Sequence, residues 1–181
     1  VEINQSILLS NEGAAAITFL GHLNGKNDLE VFNKNERGSI VFAKSVGGNV
    51  ALQSLNLKTK NAIEFPSQVD VSHLITTSPT LTFADEVVVR DQVIAHNVIA
   101  KGKYRSVRFL GDGQFSGIAA FDRISSLVLG SKDSSKFNFC GPLSVLDGVL
   151  ITQGEITTKG SVTLAELSLK GSTEFKTNSG D

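Results

Sequence analysis

The sequence predicts an all-β fold, a right-handed parallel β-helix (β-solenoid) of about eight coils. An Ile-x-Phe triplet recurs at Ile17–Phe19, Ile40–Phe42 and Ile63–Phe65, and the sequence position rises by 23 at both steps. A fixed period of roughly 20–50 residues is the mark of a repeat architecture. Apolar and polar residues alternate with a period of two, which indicates strands, and Gly and Asn pairs between them supply the positive φ of tight corners.

Each of the early repeats divides into three parts. The Ile-x-Phe strand comes first, with its two large side chains on one face and the middle residue on the other. A turn rich in Gly and Asn follows, at residues 20–25 and again at 46–49. A second alternating strand then completes the repeat, at residues 29–31 and 52–57. One such coil cannot bury its own strands, so stacking on neighbouring coils is expected to provide the core.

Looser copies continue the pattern at residues 81–83, 107–109 and 137–139, after unequal steps of 18, 26 and 30 along the chain. We expect one domain over residues 1–181, with regular repeats at 1–71 and more irregular coils at 72–181. Val41 and Glu64 are expected to face outward. The predicted core contains an aromatic ladder of Phe19, Phe42, Phe65, Phe83 and Phe109.

Composition excludes several classes of function. Lys plus Arg number 17 against 18 for Asp plus Glu, so there is no electrostatic case for nucleic acid or an anionic membrane. The longest apolar runs are far too short to span a bilayer. A single cysteine, Cys140, cannot form an internal disulfide or a Cys-based zinc site, and its neighbours Phe139 and Gly141 suggest a buried side chain.

Because the chain contains no Met, we expect it to be a processed product or part of a longer protein.

The early repeats resemble those of a known class of proteins. The stretches that carry the resemblance are Ala16 to Gly25, residues 29–31, Gly38 to Phe42, Val46-Gly47-Gly48 and Ala51 to Leu55. They resemble the repeats of large secreted bacterial β-helical exoproteins, the filamentous-haemagglutinin-like and autotransporter-type adhesins. The resemblance covers residues 1–71 well and is generic over 72–181. It implies an extracellular or cell-surface location, no cofactor and no catalytic residues.

The three histidines are the first candidates for chemistry. His22, His73 and His96 lie in different repeats, and the step from His73 to His96 is again 23, which could stack these two on one face. A metal site needs two or three convergent ligands with supporting hydrogen bonds. No Asp or Glu recurs in register with them, so exposed turn histidines are the preferred interpretation and no metal is expected.

Three aspartates are the second candidates. Asp112, Asp122 and Asp133 fall in the irregular half of the chain. Paired carboxylates about 5 to 9 Å apart could hydrolyse a glycosidic bond. However, Gly111-Asp112-Gly113 is above all a turn sequence, so no catalytic residue is assigned.

A short basic stretch is the candidate contact region for a partner. Lys101, Lys103 and Arg105 surround Tyr104, and Arg108 follows. Alternation sends the cations outward while Val107 and Phe109 point inward, so an ordinary solvated loop is the preferred interpretation and a sugar or polyanion patch is the alternative. We take Lys101, Lys103, Tyr104 and Arg105 as the candidate partner-contact loop.

These observations favour a non-catalytic role. The predicted function is a rigid stalk or display segment of a secreted or surface-anchored bacterial adhesin. Its expected partner is a protein or glycan on a host or neighbouring cell, with no nucleic acid and no insertion into a membrane. One alternative is a filament subunit whose end coils stack head to tail, and another is a carbohydrate-active β-helix enzyme.

Overall fold

The computed structural model describes residues 1–101 and 105–177. Within these residues the chain is a β-solenoid of about eight turns, with parallel strands and no helix. The strands are β1 (Ile7–Asn11), β2 (Ile17–Phe19), β3 (Asp28–Asn33), β4 (Ile40–Phe42), β5 (Leu52–Lys58), β6 (Ile63–Phe65), β7 (Val69–Thr76), β8 (Thr80–Phe83), β9 (Val87–Ala95), β10 (Asn97–Lys101), β11 (Ser106–Phe109), β12 (Asp112–Phe115), β13 (Ala119–Asp122), β14 (Ser126–Leu129), β15 (Lys136–Phe139), β16 (Leu143–Thr158) and β17 (Val162–Thr177).

The strands stack into three parallel ladders, which we call faces A, B and C. Face A contains β1, β3, β5, β12 and β15 with the last parts of β7, β9, β16 and β17. Face B contains β2, β4, β6, β8, β10 and β13 with the first parts of β16 and β17. Face C begins as isolated bridges at Leu23 and Val46 and continues through the first parts of β7 and β9, β11, β14 and the middle of β16 and β17. The turn of the early repeats is therefore the start of a third side.

Coil length varies more than the period of the early repeats predicts. On face B, Leu81 pairs with Val98, Val98 with Ala119 and Ala119 with Leu143, so the sequence position rises by 17, 21 and 24 from coil to coil. The triplets at 107–109 and 137–139 are consequently not copies of Ile17–Phe19. Val107 pairs with Val87 and Leu127 on face C, and Phe137 pairs with Gly113 and Ile156 on face A.

The aromatic ladder is confirmed for its first four members. Phe19, Phe42, Phe65 and Phe83 stack on face B with ring centroids 5.0, 4.9 and 5.4 Å apart. The rings of Phe42 and Phe65 bridge a gap in the backbone ladder, because β2 and β4 form a separate two-stranded sheet. Burial of each such ring contributes about 1.5–3 kcal/mol.

The assignment of Phe109 to this ladder is wrong. Ala100 occupies the next inward position on face B, and Phe121 follows it. Phe109 lies on face C, where its ring is 5.6 Å from Phe115 and 6.4 Å from Phe121. The later aromatics thus pack across the interior from all three faces.

Gly113 makes room for the rings of Phe115 and Phe137 on face A. A Cβ at this position would collide with the Phe137 ring, and the ring of Phe115 is also close. Phe115 in turn stacks on Phe139 at 4.7 Å with nearly parallel planes. The expectation that Gly111-Asp112-Gly113 forms a turn is wrong for its last two residues, since Asp112 and Gly113 lie within β12.

Outward positions follow the predicted alternation, with one correction. Val41 is 41% exposed and Glu64 is exposed, while Ile63 and Phe65 on either side of Glu64 are buried. The expectation that Cys140 is buried is wrong, since its side chain is exposed. Phe139 ends β15 facing inward, so the next residue along the extended backbone faces solvent.

Candidate functional site

The corner between faces A and B shortens from the second coil to the fourth. The loop from β3 to β4 has six residues, that from β5 to β6 has four and that from β7 to β8 has three. Amide side chains hold the longer loops together. Asn33 Nδ2 donates to the carbonyl oxygens of Ala15 and Ser39, at 3.0 and 3.1 Å. Asn61 Nδ2 donates to the carbonyl oxygen of Gly38 at 2.6 Å, and so joins the next loop to the one before it.

An open cleft of about 620 Å³ lies where this corner shortens. Three successive coils contribute to it, and its surface is mainly apolar. We call it the A/B corner cleft. Its lining residues are Phe32, Asn33, Lys34, Lys58, Thr59, Lys60, Thr77 and Pro79. The sequence does not predict this cleft.

The three lysines of the cleft differ in their partners. Lys34 Nζ lies 2.7 Å from Glu12 Oε1, and Lys60 Nζ lies 2.6 Å from Glu36 Oε1. Each hydrogen bond, with the charge of its lysine, holds the pKa of the glutamate below its usual value. Within the described residues, no carboxylate lies at ion-pair distance from Lys58.

Lys58 instead lies over an aromatic ring. Its Nζ is 4.3 Å from the centroid of Phe32, on the adjacent strand, in a cation–π contact. Phe32 occupies an outward position of β3, between the buried Val31 and Asn33. The corner therefore presents one ammonium group without a carboxylate partner beside an accessible aromatic side chain.

The predicted partner-contact loop is only partly described. Lys103 and Tyr104 lie outside the described residues. Lys101 ends β10 and is in register with Asp122 one coil later. Arg105 Nε lies 3.4 Å from Asp85 Oδ1, and this pairing places a carboxylate of the preceding coil beside it. The proposal that this loop contacts a partner stays a prediction.

The histidines each bond to a neighbouring coil. Nδ1 of His22 lies 2.7 Å from Ser45 Oγ, and Nδ1 of His96 lies 2.8 Å from Ser116 Oγ. His73 Nδ1 lies 3.2 Å from the Gln53 carbonyl oxygen. The suggested stacking of His73 on His96 is wrong. His73 is in register with Gln92, which precedes His96 in the chain, because the coil here is shorter than the early repeats.

Two of the aspartates, Asp112 and Asp133, accept hydrogen bonds from groups on later coils. Asp112 Oδ1 accepts the Lys136 backbone N–H at 2.8 Å. Asp133 Oδ1 accepts from Gln153 Nε2 at 2.8 Å and from the Ser172 backbone N–H at 3.3 Å.

Asp122 lies apart from Asp112 and Asp133, at the end of β13 on face B. Its Oδ2 is 3.7 Å from Arg123 Nε. In residues 1–101 and 105–177, no group of three or more His, Cys, Asp or Glu side chains is arranged to hold a metal ion. The described candidates for chemistry thus engage neighbouring side chains and backbone groups.

Two further findings concern membrane-spanning helices and known relatives. The part that the structure describes has no helix of the length and apolar character needed to cross a membrane. Comparison with family models, with curated proteins and with solved structures finds no match.

Proposed function

We propose that this chain is a rigid, non-catalytic β-helical stalk or display segment of a secreted or surface-anchored bacterial adhesin. The observation that carries the proposal is the continuity of the solenoid. Face A runs from β1 to β17 as an unbroken series of parallel pairs, and one apolar core extends from Ile3 to Ile156. The resemblance of residues 1–71 to exoprotein repeats supports the same conclusion.

A stalk must resist extension, and a solenoid has the means to do so. The later coils are hydrogen-bonded to one another on all three sides, and all coils share one apolar core. Salt bridges such as Lys34–Glu12 and Lys60–Glu36 join corner loops of successive coils on the outside. Because every strand pair joins two successive coils, the array should yield one coil at a time.

Single-molecule stretching tests this proposal. The chain is held at its two ends between reference domains of known contour length and pulled at constant speed. We expect force peaks separated by about 70 Å, the extended length of a coil of about 20 residues. Smooth extension at low force, without peaks, would show a compliant chain and would contradict the stalk.

A second candidate function is a filament subunit, and the two end coils favour it. Leu167 and Leu169 on face C of the last coil are 44% and 57% exposed, although the equivalent Leu150 and Thr152 one coil earlier are fully buried. On the first coil, Leu9 is 36% exposed, although its register partner Val31 on the next coil is fully buried. Uncovered parallel strands of this kind accept a further coil. A second copy stacked head to tail would form an open, heterologous assembly, which grows with protein concentration whereas a lone stalk does not.

A further inference from the structure

We propose that the A/B corner cleft binds an acidic saccharide, a sugar unit that carries one carboxylate, and that Lys58 is the cation that receives this carboxylate. The inference does not depend on the stalk, since the same corner would be present in a filament. The stretching experiment and the binding experiment below can therefore fail separately.

The size and lining of the cleft fit one or two sugar rings. Its volume of about 620 Å³ falls within the range of roughly 300–1,000 Å³ that is usual for small-molecule sites. The Phe32 and Pro79 rings and the aliphatic stems of the lysines provide apolar surface. A pyranose has apolar C–H faces that pack on such a surface and hydroxyl groups at its rim. The exposed Thr77 hydroxyl and the lysine ammonium groups can bond to these hydroxyls.

The charge of the cleft fits a single anion. Its lining contains three lysines and no carboxylate. Two of the lysines are already neutralised by Glu12 and Glu36 from outside the lining. Lys58 remains, and its contact with Phe32 holds the ammonium group at the cleft. A carboxylate placed there gains a charge-assisted hydrogen bond without displacing a protein partner.

The backbone around the cleft disfavours a peptide. Docking of an extended peptide by strand addition needs free N–H and C=O groups along a sheet edge. The strands that reach the cleft, β3, β5 and β7, are each paired on both sides. The cleft therefore offers side chains and an apolar floor, which suit a ring with hydroxyl groups better than a polypeptide strand.

Binding of two matched tetrasaccharides tests the proposal. One is β-1,4-linked glucuronate, and the other is β-1,4-linked glucose, which differs only in bearing hydroxymethyl groups in place of carboxylates. Each is titrated into the isotope-labelled chain while backbone amide shifts are recorded. We expect the glucuronate tetramer to shift amides at residues 32–34, 58–60 and 77–79, and to bind at least about tenfold more tightly than the glucose tetramer.

Two variants locate the charge. Lys58→Gln removes the unpaired ammonium group and should weaken glucuronate binding by about tenfold. Lys44→Gln removes an exposed lysine at the corner between faces B and C, outside the cleft, and should change the affinity less than about twofold. Equal affinity for the two tetrasaccharides, an unchanged affinity in Lys58→Gln, equal losses in both variants, or no binding at about 10 mM saccharide would each overturn the proposal.

Discussion

Replacement of Phe65 by Ala is expected to lower the free energy of unfolding by about 3–5 kcal/mol, the usual cost of removing a buried aromatic side chain. Phe65 is 1% exposed, and its ring stacks between Phe42 and Phe83 at 4.9 and 5.4 Å. The ring also spans the point where the backbone ladder of face B is interrupted. Its loss therefore removes burial and packing on both sides. Urea denaturation followed by circular dichroism measures the change.

Glu64→Ser is the matched control for this experiment. Glu64 is the preceding residue in the same three-residue strand and points to solvent. We expect a loss below about 1 kcal/mol, as for other exposed positions. Equal losses for Phe65→Ala and Glu64→Ser would show that the inward and outward faces of β6 are assigned wrongly.

Gly47→Ala is expected to cost about 2–4 kcal/mol, through backbone strain and steric collision together. Gly47 has a φ of +73°, a conformation that residues with a side chain rarely adopt. An added Cβ would fall on the carbonyl oxygen of Asp70 in the next coil. The Asp70 backbone N–H bonds to the Val46 carbonyl oxygen at 2.8 Å, so the two coils cannot separate without breaking this bond.

Gly21→Ala provides the comparison. Gly21 also lies in a glycine-containing turn after a face B strand, but a Cβ there would meet no atom within 4 Å. Its substitution should change the unfolding free energy by less than about 0.5 kcal/mol. If thermal or urea denaturation gave similar losses for both variants, the close contact between the coils at Gly47 would be refuted.

The fold could be predicted because burial imposes a strict pattern on every strand. Alternation of inward Ile63 and Phe65 with outward Glu64 is visible in the sequence, and the constant step between Ile-x-Phe triplets aligns the first three coils. The later register could not be predicted in the same way. Corner loops are polar, and no apolar pattern in the sequence reveals how long each loop is. The short coil after Leu81 and the long coil after Ala119 therefore contain strands that look alike in sequence. For this reason the sequence pattern predicts Phe109 in the aromatic ladder of face B, whereas it lies on face C.

The cleft shows the same limit more strongly. Phe32, Lys58 and Pro79 are far apart in sequence and meet only because the corner shortens from six residues to three. A large aromatic at an outward position, between inward Val31 and Asn33, was the one signal available. The basic residues around Tyr104 formed a more conspicuous local cluster, although Arg105 and Arg108 lie beside Asp85 and Glu86 of the preceding coil.

Distances between spin labels on face B test the rigid, in-register stack most directly. The outward residues Thr18, Glu64 and Thr163 occupy equivalent positions on the first, third and eighth coils of this face. With a spacing of about 4.8 Å per coil, backbone positions 64 and 163 are about 24 Å apart, and positions 18 and 163 about 34 Å apart. Pulsed electron resonance on the two doubly labelled chains should give narrow distributions whose centres differ by about 10 Å. Broad distributions, or equal mean distances for the two pairs, would contradict a rigid solenoid.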